Sequence, residues 1–326
     1  MNLEPRQPEP RGQSGRHEYR GPERRRTPRI ITSFTGEYRI AAGEELHFPL
    51  EQRALVALVR SALEEDGAFN DITTIACVLS QRHARGTLVA REGGVIAGVP
   101  IALEAFRQLD PKISIRVDVE DGTDVVPGSP ILFITGHARA LLSAERVALN
   151  FMQRLSGIAT ITRKYVDAVR GTKAKILDTR KTTPGWRKLE KYAVRAGGGT
   201  NHRMDLAMAV LIKDNHLAAV DGNIALAVRH ARAMAPAGTK IEVECDRTEQ
   251  VDAALAAGAD VIMLDNMTPG QMAECVRRIE GRAITEASGG VRLDTVREIA
   301  EAGVDWISVG ALTHSPRALD LALDFE

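Results

Sequence analysis

Basic side chains are concentrated between residues 178 and 216 of the 326-residue chain. They outnumber the acidic side chains there and comprise Arg180, Lys181, Arg187, Lys188, Lys191, Arg195, Arg203 and Lys213. Glycines at 197–199 let backbone amides approach an anion closely. The stretch therefore predicts a pocket for a small molecule with several negative charges, whereas a solvated, salt-bridged surface is the ordinary interpretation of a charge run.

Six short apolar segments that end in a chemically useful residue follow residue 173. The candidate strands are 175–178, 209–213, 240–244, 259–265, 283–288 and 304–310, and their last residues are Asp178, Lys213, Glu244, Asp265, Ser288 and Gly310. Helical spacing lies between them, and successive βα units close naturally into a barrel whose functional groups lie at one rim. An open doubly wound sheet is the competing architecture. It is disfavoured because no G-x-G-x-x-G motif opens the first helix.

Two carboxylates and two glycine-containing loops lie at the ends of these candidate strands. Glu244 and Asp265 are hard oxygen ligands of the kind that suit Mg²⁺, although either could instead pair with Lys213. Ser288-Gly289-Gly290 and the segment from Gly310 to His314 follow the last two strands, where barrels of this type usually bind phosphate. A phosphate loop, a magnesium site and a cationic pocket together suit transfer of a phosphoribosyl group to an organic acid.

The remainder of the chain divides into three parts. Residues 1–45 are rich in arginine and proline and poor in apolar side chains, which predicts a disordered extension. Residues 46–150 contain short strands and helices, which predict an α+β domain with helices packed on one face of a sheet. A C-terminal helix over 315–326 is expected to join this domain. A long helix over about 138–169 is expected to break near Ser156-Gly157, and residues 151–314 are expected to form the barrel.

Composition bounds the functional classes. Formal net charge is zero, so no global attraction to nucleic acid or to an anionic membrane is expected. No apolar run approaches the roughly 20 residues of a membrane span. Three widely spaced cysteines suit a reducing compartment, which predicts a cytoplasmic protein.

Several long runs resemble the quinolinate phosphoribosyltransferase family, also called nicotinate-nucleotide pyrophosphorylase (carboxylating). They are Asp71–Thr74, Glu145–Asn150, Leu155–Ala159, Asp178–Gly185, Gly197–Arg203, Ile212–His216, Glu242–Glu244, Leu264–Asn266 and Glu286–Gly290. The resemblance extends from about Leu50 to the end of the chain. It implies a magnesium-dependent reaction of quinolinate with phosphoribosyl diphosphate that yields nicotinate mononucleotide, diphosphate and CO2 during de novo NAD synthesis.

The resemblance also implies a fold and an assembly. The fold is an incomplete TIM-like (β/α) barrel beside an N-terminal α/β sandwich domain. The assembly is a homodimer in which Arg146 reaches the partner's quinolinate site. By itself, an arginine in the segment Ser143-Ala-Glu-Arg146 would be interpreted as half of an ordinary surface pair with Glu145.

Roles carried over position by position fall into two groups. Quinolinate binding is implied for Arg146, Arg180, His202, Arg203 and Lys213, and arginine suits a rigid dicarboxylate because it can pair with it bidentately. Phosphoribosyl diphosphate binding is implied for Lys181, Glu244, Asp265, Ser288, Gly289, Gly290, Gly310 and His314, with Lys181, Glu244 and Asp265 as catalytic groups and Glu244 and Asp265 as Mg²⁺ ligands. Two alternatives are a nicotinate phosphoribosyltransferase that releases no CO2 and a catalytically inactive anion-binding sensor.

Overall fold

The computed structural model describes residues 29–30, 37–39 and 45–326, with side chains described from residue 46 onward. Its N-terminal part comprises strands β1 (Arg29–Ile30), β2 (Glu37–Arg39) and β3 (Glu45–His47), helices α1 (Gln52–Glu65) and α2 (Ile72–Cys77), strands β4 (His83–Ala90) and β5 (Gly94–Val95), helix α3 (Val99–Leu109), strands β6 (Ser114–Val117), β7 (Asp124–Val125) and β8 (Pro130–His137), and helix α4 (Ala138–Ala168). A 3-10 turn, Ala68–Asn70, separates α1 from α2.

Most of the predicted disordered extension lies outside the described residues. Where the structure describes it, Arg29–Ile30 pairs antiparallel with β6, and Glu37–Arg39 pairs antiparallel with β3. These two short segments are therefore strands, contrary to the prediction. Their main-chain groups form hydrogen bonds with β6 and β3, and such bonds do not depend on the side-chain composition from which disorder was predicted.

The C-terminal part alternates strands and helices. It comprises β9 (Lys175–Leu177), α5 (Arg187–Ala196), β10 (Val210–Ile212), α6 (Asp214–Ala218), α7 (Ile224–Met234), β11 (Ile241–Cys245), α8 (Thr248–Ala256), β12 (Val261–Asp265), α9 (Pro269–Ile279), β13 (Ile284–Ser288), α10 (Val296–Glu301), β14 (Trp306–Ser308), α11 (Ala311–His314) and β15 (Leu321–Phe325). All six strands predicted for the barrel are present.

A six-stranded parallel sheet in the order β10-β11-β12-β13-β14-β9 forms the barrel wall. Its strands are short and apolar, as expected of a sheet covered by helices on its outer face. In the described part of the chain β10 and β9 are the two edges and do not pair with each other, so the barrel is incomplete, as predicted. The arrangement brings the carboxyl ends of all six strands to one rim.

The N-terminal domain is built on an antiparallel sheet in the order β1-β6-β8-β4-β15. Helix α3 is buried from Val99 to Phe106 and packs against α4. The Asp121 carboxylate caps the start of α3 by accepting hydrogen bonds from the amides of Gly98 and Val99, at 2.9 and 3.0 Å. The Tyr192 hydroxyl of α5 donates to the same carboxylate at 2.6 Å, which ties the two domains together.

The predicted C-terminal helix over 315–326 is wrong. Residues 321–325 form β15, which pairs antiparallel with β4 and brings Leu321 opposite Ala90. This pairing covers what would otherwise be an open edge of the N-terminal sheet. The end of the chain therefore joins the N-terminal domain as a strand.

The predicted break in the long helix is also wrong, because α4 is continuous through Ser156 and Gly157. Both residues serve close packing. A Cβ atom at Gly157 would lie 2.1 Å from the carbonyl oxygen of Arg317. The Ser156 hydroxyl accepts from the Ala97 amide at 2.9 Å. Within the described residues, no helix combines the length and apolar character needed to cross a membrane.

Candidate active site

A cavity of about 890 Å³ opens at the carboxyl ends of the barrel strands. Its wall repeats along each strand with the period of two that places side chains on one face: Leu211 and Lys213, Met263 and Asp265, Glu286 and Ser288, Ser308 and Gly310. A second cavity of about 570 Å³ lies at the opposite ends of the strands, near Lys240, Asp260 and Asp305. The larger cavity is the candidate active site because parallel barrels place their chemistry at the carboxyl ends.

The candidate active site contains twelve of the thirteen residues predicted from the sequence. They are Arg180, Lys181, His202, Arg203, Lys213, Glu244, Asp265, Ser288, Gly289, Gly290, Gly310 and His314. Arg146 is the exception and does not line the cavity. The cavity also contains Thr179, Asn266, Glu286, Arg292 and Ser308, which the predicted set omitted.

Two guanidinium groups crowd one side of the cavity. Burial and the neighbouring Arg180 guanidinium lower the pKa of Arg203, although Glu242 and Asp205 oppose this. The Arg203 Nη1 atom donates to the carbonyl oxygen of Ala209 at 2.8 Å, which fixes the side chain. Among the described residues, the buried Nε atom of Arg180 has no hydrogen-bond partner. A buried donor without an acceptor beside a second cation is the environment that an anionic ligand completes.

Lys213 and Glu244 face each other across the ends of β10 and β11. The Lys213 ammonium group forms an ion pair with the Glu244 carboxylate, which is only 13% exposed. For Glu244, the structure therefore shows the alternative stated above, in which the carboxylate pairs with Lys213. The same two side chains remain at the cavity wall, where a ligand would contact both.

The ends of β12 and β13 form a second side of the cavity. The Asn266 side chain donates to Asp265 Oδ2 at 2.6 Å, and the Asn266 amide donates to the carbonyl oxygen of Ser288 at 2.9 Å. Gly289 has a φ of +88°, and a Cβ atom there would lie 2.2 Å from Asn266 Oδ1. Glycine is therefore required both by the backbone conformation and by the close approach of Asn266.

Lys181 lies where the last barrel loop crosses the rim. The Thr313 hydroxyl donates to the carbonyl oxygen of Lys181 at 2.7 Å. At Gly310 the Lys181 side chain and the His314 ring pack so closely that an added Cβ atom would lie 3.2 Å from each. Two residues far apart in sequence are thus held side by side with the backbone of Gly310.

Glu286 at the cavity wall and the buried Glu242 near it form an acidic pair that the predicted set of site residues lacked. Burial is the main cause that raises the pKa of Glu242, to about 7, with a smaller contribution from Glu286. His202 Nε2 lies 3.3 Å from Glu242 and 3.4 Å from Glu286. The Ser308 hydroxyl donates to Glu286 at 2.5 Å. The two-residue period that points Glu244 and Ser288 into the barrel also points Glu242 and Glu286 inward, and this signal was available in the sequence.

The His202, Glu242 and Glu286 cluster has the donor types of a metal site. However, the Arg203 amide donates to His202 Nδ1 at 2.8 Å, which leaves the ring proton on Nε2, facing the carboxylates. A cation would have to displace that proton, so the ring acts here as a donor and no metal is assigned.

Among the charged residues of the basic stretch that lie outside the cavity, Lys191 and Asp178 form a buried pair. Lys191 and Asp178 are both completely buried, and the Lys191 ammonium group contacts the Asp178 carboxylate. Burial raises the pKa of Asp178 and lowers that of Lys191, and their mutual attraction opposes both shifts. Lys191 therefore adds no free positive charge to the pocket, although it was one of the basic residues from which the pocket was predicted.

Arg146 is exposed on the outer surface of α4. It forms no ion pair with any residue that the structure describes, so the alternative of a surface pair with Glu145 is not observed. Ser143, one turn earlier on the helix, donates to Asp71 at 3.0 Å and places Arg146 beside α2. Helix α2 exposes the apolar residues Ile72, Ile75 and, just beyond its end, Leu79.

Comparison with known proteins gives one consistent result. The model of the quinolinate phosphoribosyl transferase N-terminal domain matches residues 71–156, and that of the C-terminal domain matches residues 158–324. The nicotinate-nucleotide pyrophosphorylase [carboxylating] of Mycobacterium leprae is 50% identical over 272 residues, which is 82% of this chain and 95% of that protein.

Solved structures agree. The crystal structure of NadC from Streptococcus pyogenes superposes with a TM-score of 0.81 at 40% identity, covering 85% of this chain and 98% of that one. Human nicotinic acid phosphoribosyltransferase, at 12% identity and a TM-score of 0.53 over 81% of this chain and 73% of that one, shares the fold alone. The chain therefore belongs to the quinolinate phosphoribosyl transferase family.

Proposed function

We propose that this protein is a magnesium-dependent phosphoribosyltransferase that converts quinolinate and phosphoribosyl diphosphate into nicotinate mononucleotide, diphosphate and CO2. The observation that carries the assignment of substrates to the site is the unpartnered, buried Nε atom of Arg180 beside Arg203. Two adjacent guanidinium groups repel each other until a dianion lies between them. A dicarboxylate offers two such charges, whereas nicotinate offers one.

The acid subsite in this proposal is formed by Arg180, Arg203 and Lys213, with His202 at its floor. The two ring nitrogens of His202 already contact Arg203 and the carboxylate pair, so the ring contributes shape and position more than a free donor. Arginine side chains bind the two carboxylates with defined geometry. The pyridine nitrogen is then oriented toward the sugar.

The phosphoribosyl diphosphate subsite is formed by the opposite rim. Lys181 and the backbone of residues 288–290 and 310–314 face the same part of the cavity, where backbone amides and an ammonium group suit phosphate oxygens. Asp265 and Glu244 are the oxygen donors that would hold Mg²⁺, and the ion would neutralise diphosphate charge. Their placement on neighbouring strands suits a hard cation shared with substrate.

The chemistry needs no covalent nucleophile on the protein. The pyridine nitrogen attacks the anomeric carbon of the ribose as the bond to diphosphate breaks, and Lys181 stabilises the departing charge. The product is a pyridinium, whose positive nitrogen stabilises the electron pair left on C2 when the bond to the 2-carboxylate breaks. CO2 leaves, a proton adds to C2, and nicotinate mononucleotide is formed. The protein supplies orientation and electrostatic stabilisation.

We also propose that the active unit is a homodimer in which Arg146 completes the partner's acid subsite. Arg146 is exposed and outside its own cavity, and the apolar face of α2 lies beside it. A loop at the cavity mouth exposes Leu206 and Met208, which are 69% and 65% accessible. If helix α2 and Arg146 of one subunit dock against this loop of the other subunit, both apolar patches are buried and Arg146 reaches the rim of the partner's cavity.

One assay tests the proposed reaction. The purified protein is incubated with quinolinate labelled at the 2-carboxyl carbon, phosphoribosyl diphosphate and Mg²⁺, and the label in CO2 and the amount of nicotinate mononucleotide are measured. The proposal predicts equal amounts of both products. In a parallel incubation with nicotinate in place of quinolinate, formation of the mononucleotide would favour the non-decarboxylating enzyme. Tight quinolinate binding without diphosphate release would favour a sensor.

A further inference from the structure

We infer that Asp178 and Lys191 are positioning residues that hold His202 and Arg203 in the acid subsite, an inference that rests on the proposed function. Asp178 follows β9, and Lys191 lies in the middle of α5. Both side chains have 0% exposure and contact each other. Neither touches the cavity, so any effect on the substrate must pass through the residues they bind.

The other hydrogen bonds that the two side chains form lead to the neighbouring residues Asn201 and His202. Asp178 accepts from the His202 amide at 2.9 Å and from the Asn201 side chain at 2.5 Å. Lys191 donates to the carbonyl oxygen of His202 at 3.0 Å, and its own carbonyl oxygen accepts from Asn201 at 2.8 Å. The pair therefore holds both the amide and the carbonyl group of His202.

The segment of residues 201–203 depends on these bonds because it lies in neither a helix nor a strand. Its connection to β9 is the bridge at Thr200, whose amide donates to the carbonyl oxygen of Ile176 at 2.8 Å. The Arg203 amide in turn donates to His202 Nδ1, so the orientation of the ring follows the same backbone. A shift of about 1 Å in side chains that position a substrate can reduce turnover on the order of a hundredfold.

Stability alone does not account for a buried charged pair at this position. Replacing such a pair by apolar residues of similar size is often neutral or stabilising, whereas removing one partner is costly. An apolar replacement would fill the same space but could not bind the backbone of His202. Stability and positioning can therefore be separated by experiment.

Helix α5 supplies a matched control. Glu190, adjacent to Lys191, is also fully buried and pairs with Arg154 at 2.7 Å. That pair binds Thr183 and the carbonyl oxygen of Thr313, at 2.8 and 2.7 Å, and so leads toward the phosphoribosyl side. Two ion pairs that each include a buried residue of α5 thus lead to opposite sides of the cavity.

The test compares three proteins. The first is a double variant that carries both Asp178→Leu and Lys191→Met, the second is a control double variant that carries both Arg154→Met and Glu190→Leu, and the third is the wild-type protein. Titration calorimetry measures the binding of quinolinate and of phosphoribosyl diphosphate with Mg²⁺ separately, and hydrogen exchange measures protection of the His202 and Arg203 amides. We expect the first variant to weaken quinolinate binding at least about tenfold, to keep phosphoribosyl diphosphate binding within about twofold, and to lose protection at residues 202 and 203. The control should leave quinolinate binding within about twofold.

The outcomes separate the two ideas. Quinolinate binding and amide protection as in the wild type would overturn the positioning role, as would equal weakening of both substrates in both double variants. Failure of the wild-type protein to bind quinolinate would instead overturn the proposed function, and amide protection would still report on positioning. If the double variant does not fold, Lys191→Arg retains the charge, and its larger head group should give the same selective loss of quinolinate binding; unchanged binding there counts against the role.

Discussion

The Lys213 ammonium group is ion-paired with the Glu244 carboxylate across the ends of two adjacent barrel strands. The proposed function assigns these side chains to different substrates, Lys213 to quinolinate and Glu244 to the magnesium and phosphoribosyl diphosphate side. Each substrate must therefore compete with the opposite partner of this pair. Under this assignment, binding of both substrates together is expected to separate the pair and to give each charge a new partner.

The first prediction follows from this competition. Replacement of Glu244 by Gln should raise the KM for phosphoribosyl diphosphate and lower kcat on the order of tenfold or more, because an oxygen ligand with full charge is lost. The KM for quinolinate should stay constant or fall, since Lys213 is released from a carboxylate. Steady-state kinetics with each substrate varied in turn provide the measurement. Lys213→Met is the matched variant and should raise the KM for quinolinate; the same increase in Glu244→Gln would contradict the division of roles.

The second prediction concerns sharing of the active site between subunits. Arg146→Ala and Lys213→Ala should each be almost inactive, because each variant lacks one part of every site. After the two proteins are mixed and allowed to exchange subunits, about a quarter of wild-type activity should return, since half of the dimers are mixed and each has one complete site. Activity of the mixture is compared with that of each variant at equal total concentration. A mixture no more active than its components would exclude a shared site.

Most of this site could be predicted because it lies at strand ends. Lys213, Glu244, Asp265 and Ser288 end apolar segments whose length and spacing already specify a parallel barrel, and parallel strands bring their carboxyl ends to one rim. The resemblance to a family added Arg146, whose role no periodicity could indicate. Local pattern and family resemblance therefore gave different parts of the site.

The third prediction concerns stability and pH at the contact between the domains. Burial raises the pKa of Asp121 from its ordinary value of 3.8 to about 6, and the hydrogen bond from Tyr192 opposes the shift. The folded protein thus holds a proton that the unfolded chain releases, so this group loses about 3 kcal/mol of stabilisation as the pH rises from about 4 to about 6.

Urea unfolding of the wild-type protein and of Asp121→Asn at pH 4 and pH 6.5 checks this sign. The free energy of unfolding of the variant, relative to that of the wild type, should increase with pH. Tyr192→Phe retains the carboxyl group but removes a hydrogen bond that lowers its pKa, so its loss of stability should extend to higher pH. Parallel pH profiles for all three proteins would show that Asp121 does not titrate in this range.

The charge of a residue did not predict whether its side chain lines the cavity where tertiary contacts determine its position. Lys191 belongs to a basic run, yet its position on the inner face of α5 directs it to Asp178 and away from the cavity. The two-residue strand period already directs Glu242 and Glu286 inward, but only the pairing of β11, β12 and β13 brings their carboxylates together beside His202. The last strand likewise forms because β4 offers a free edge far away in sequence, and a helical expectation for 315–326 could not include that edge.

The fourth prediction tests the loop after β13. A Cβ atom at Gly289 would lie 2.2 Å from Asn266 Oδ1 and 2.9 Å from the Asn266 amide nitrogen, and the φ of +88° disfavours any other residue. Gly289→Ala should therefore displace Asn266 and, through it, Asp265, and raise the KM for phosphoribosyl diphosphate on the order of tenfold. Gly258→Ala is the matched control because Gly258 has a φ of +79° and no atom within 4 Å of an added Cβ atom. It should cost only about 1 kcal/mol of backbone strain and leave the kinetics unchanged. If both variants lose stability equally and retain wild-type KM values, the contact between Gly289 and Asn266 does not shape the phosphoribosyl subsite.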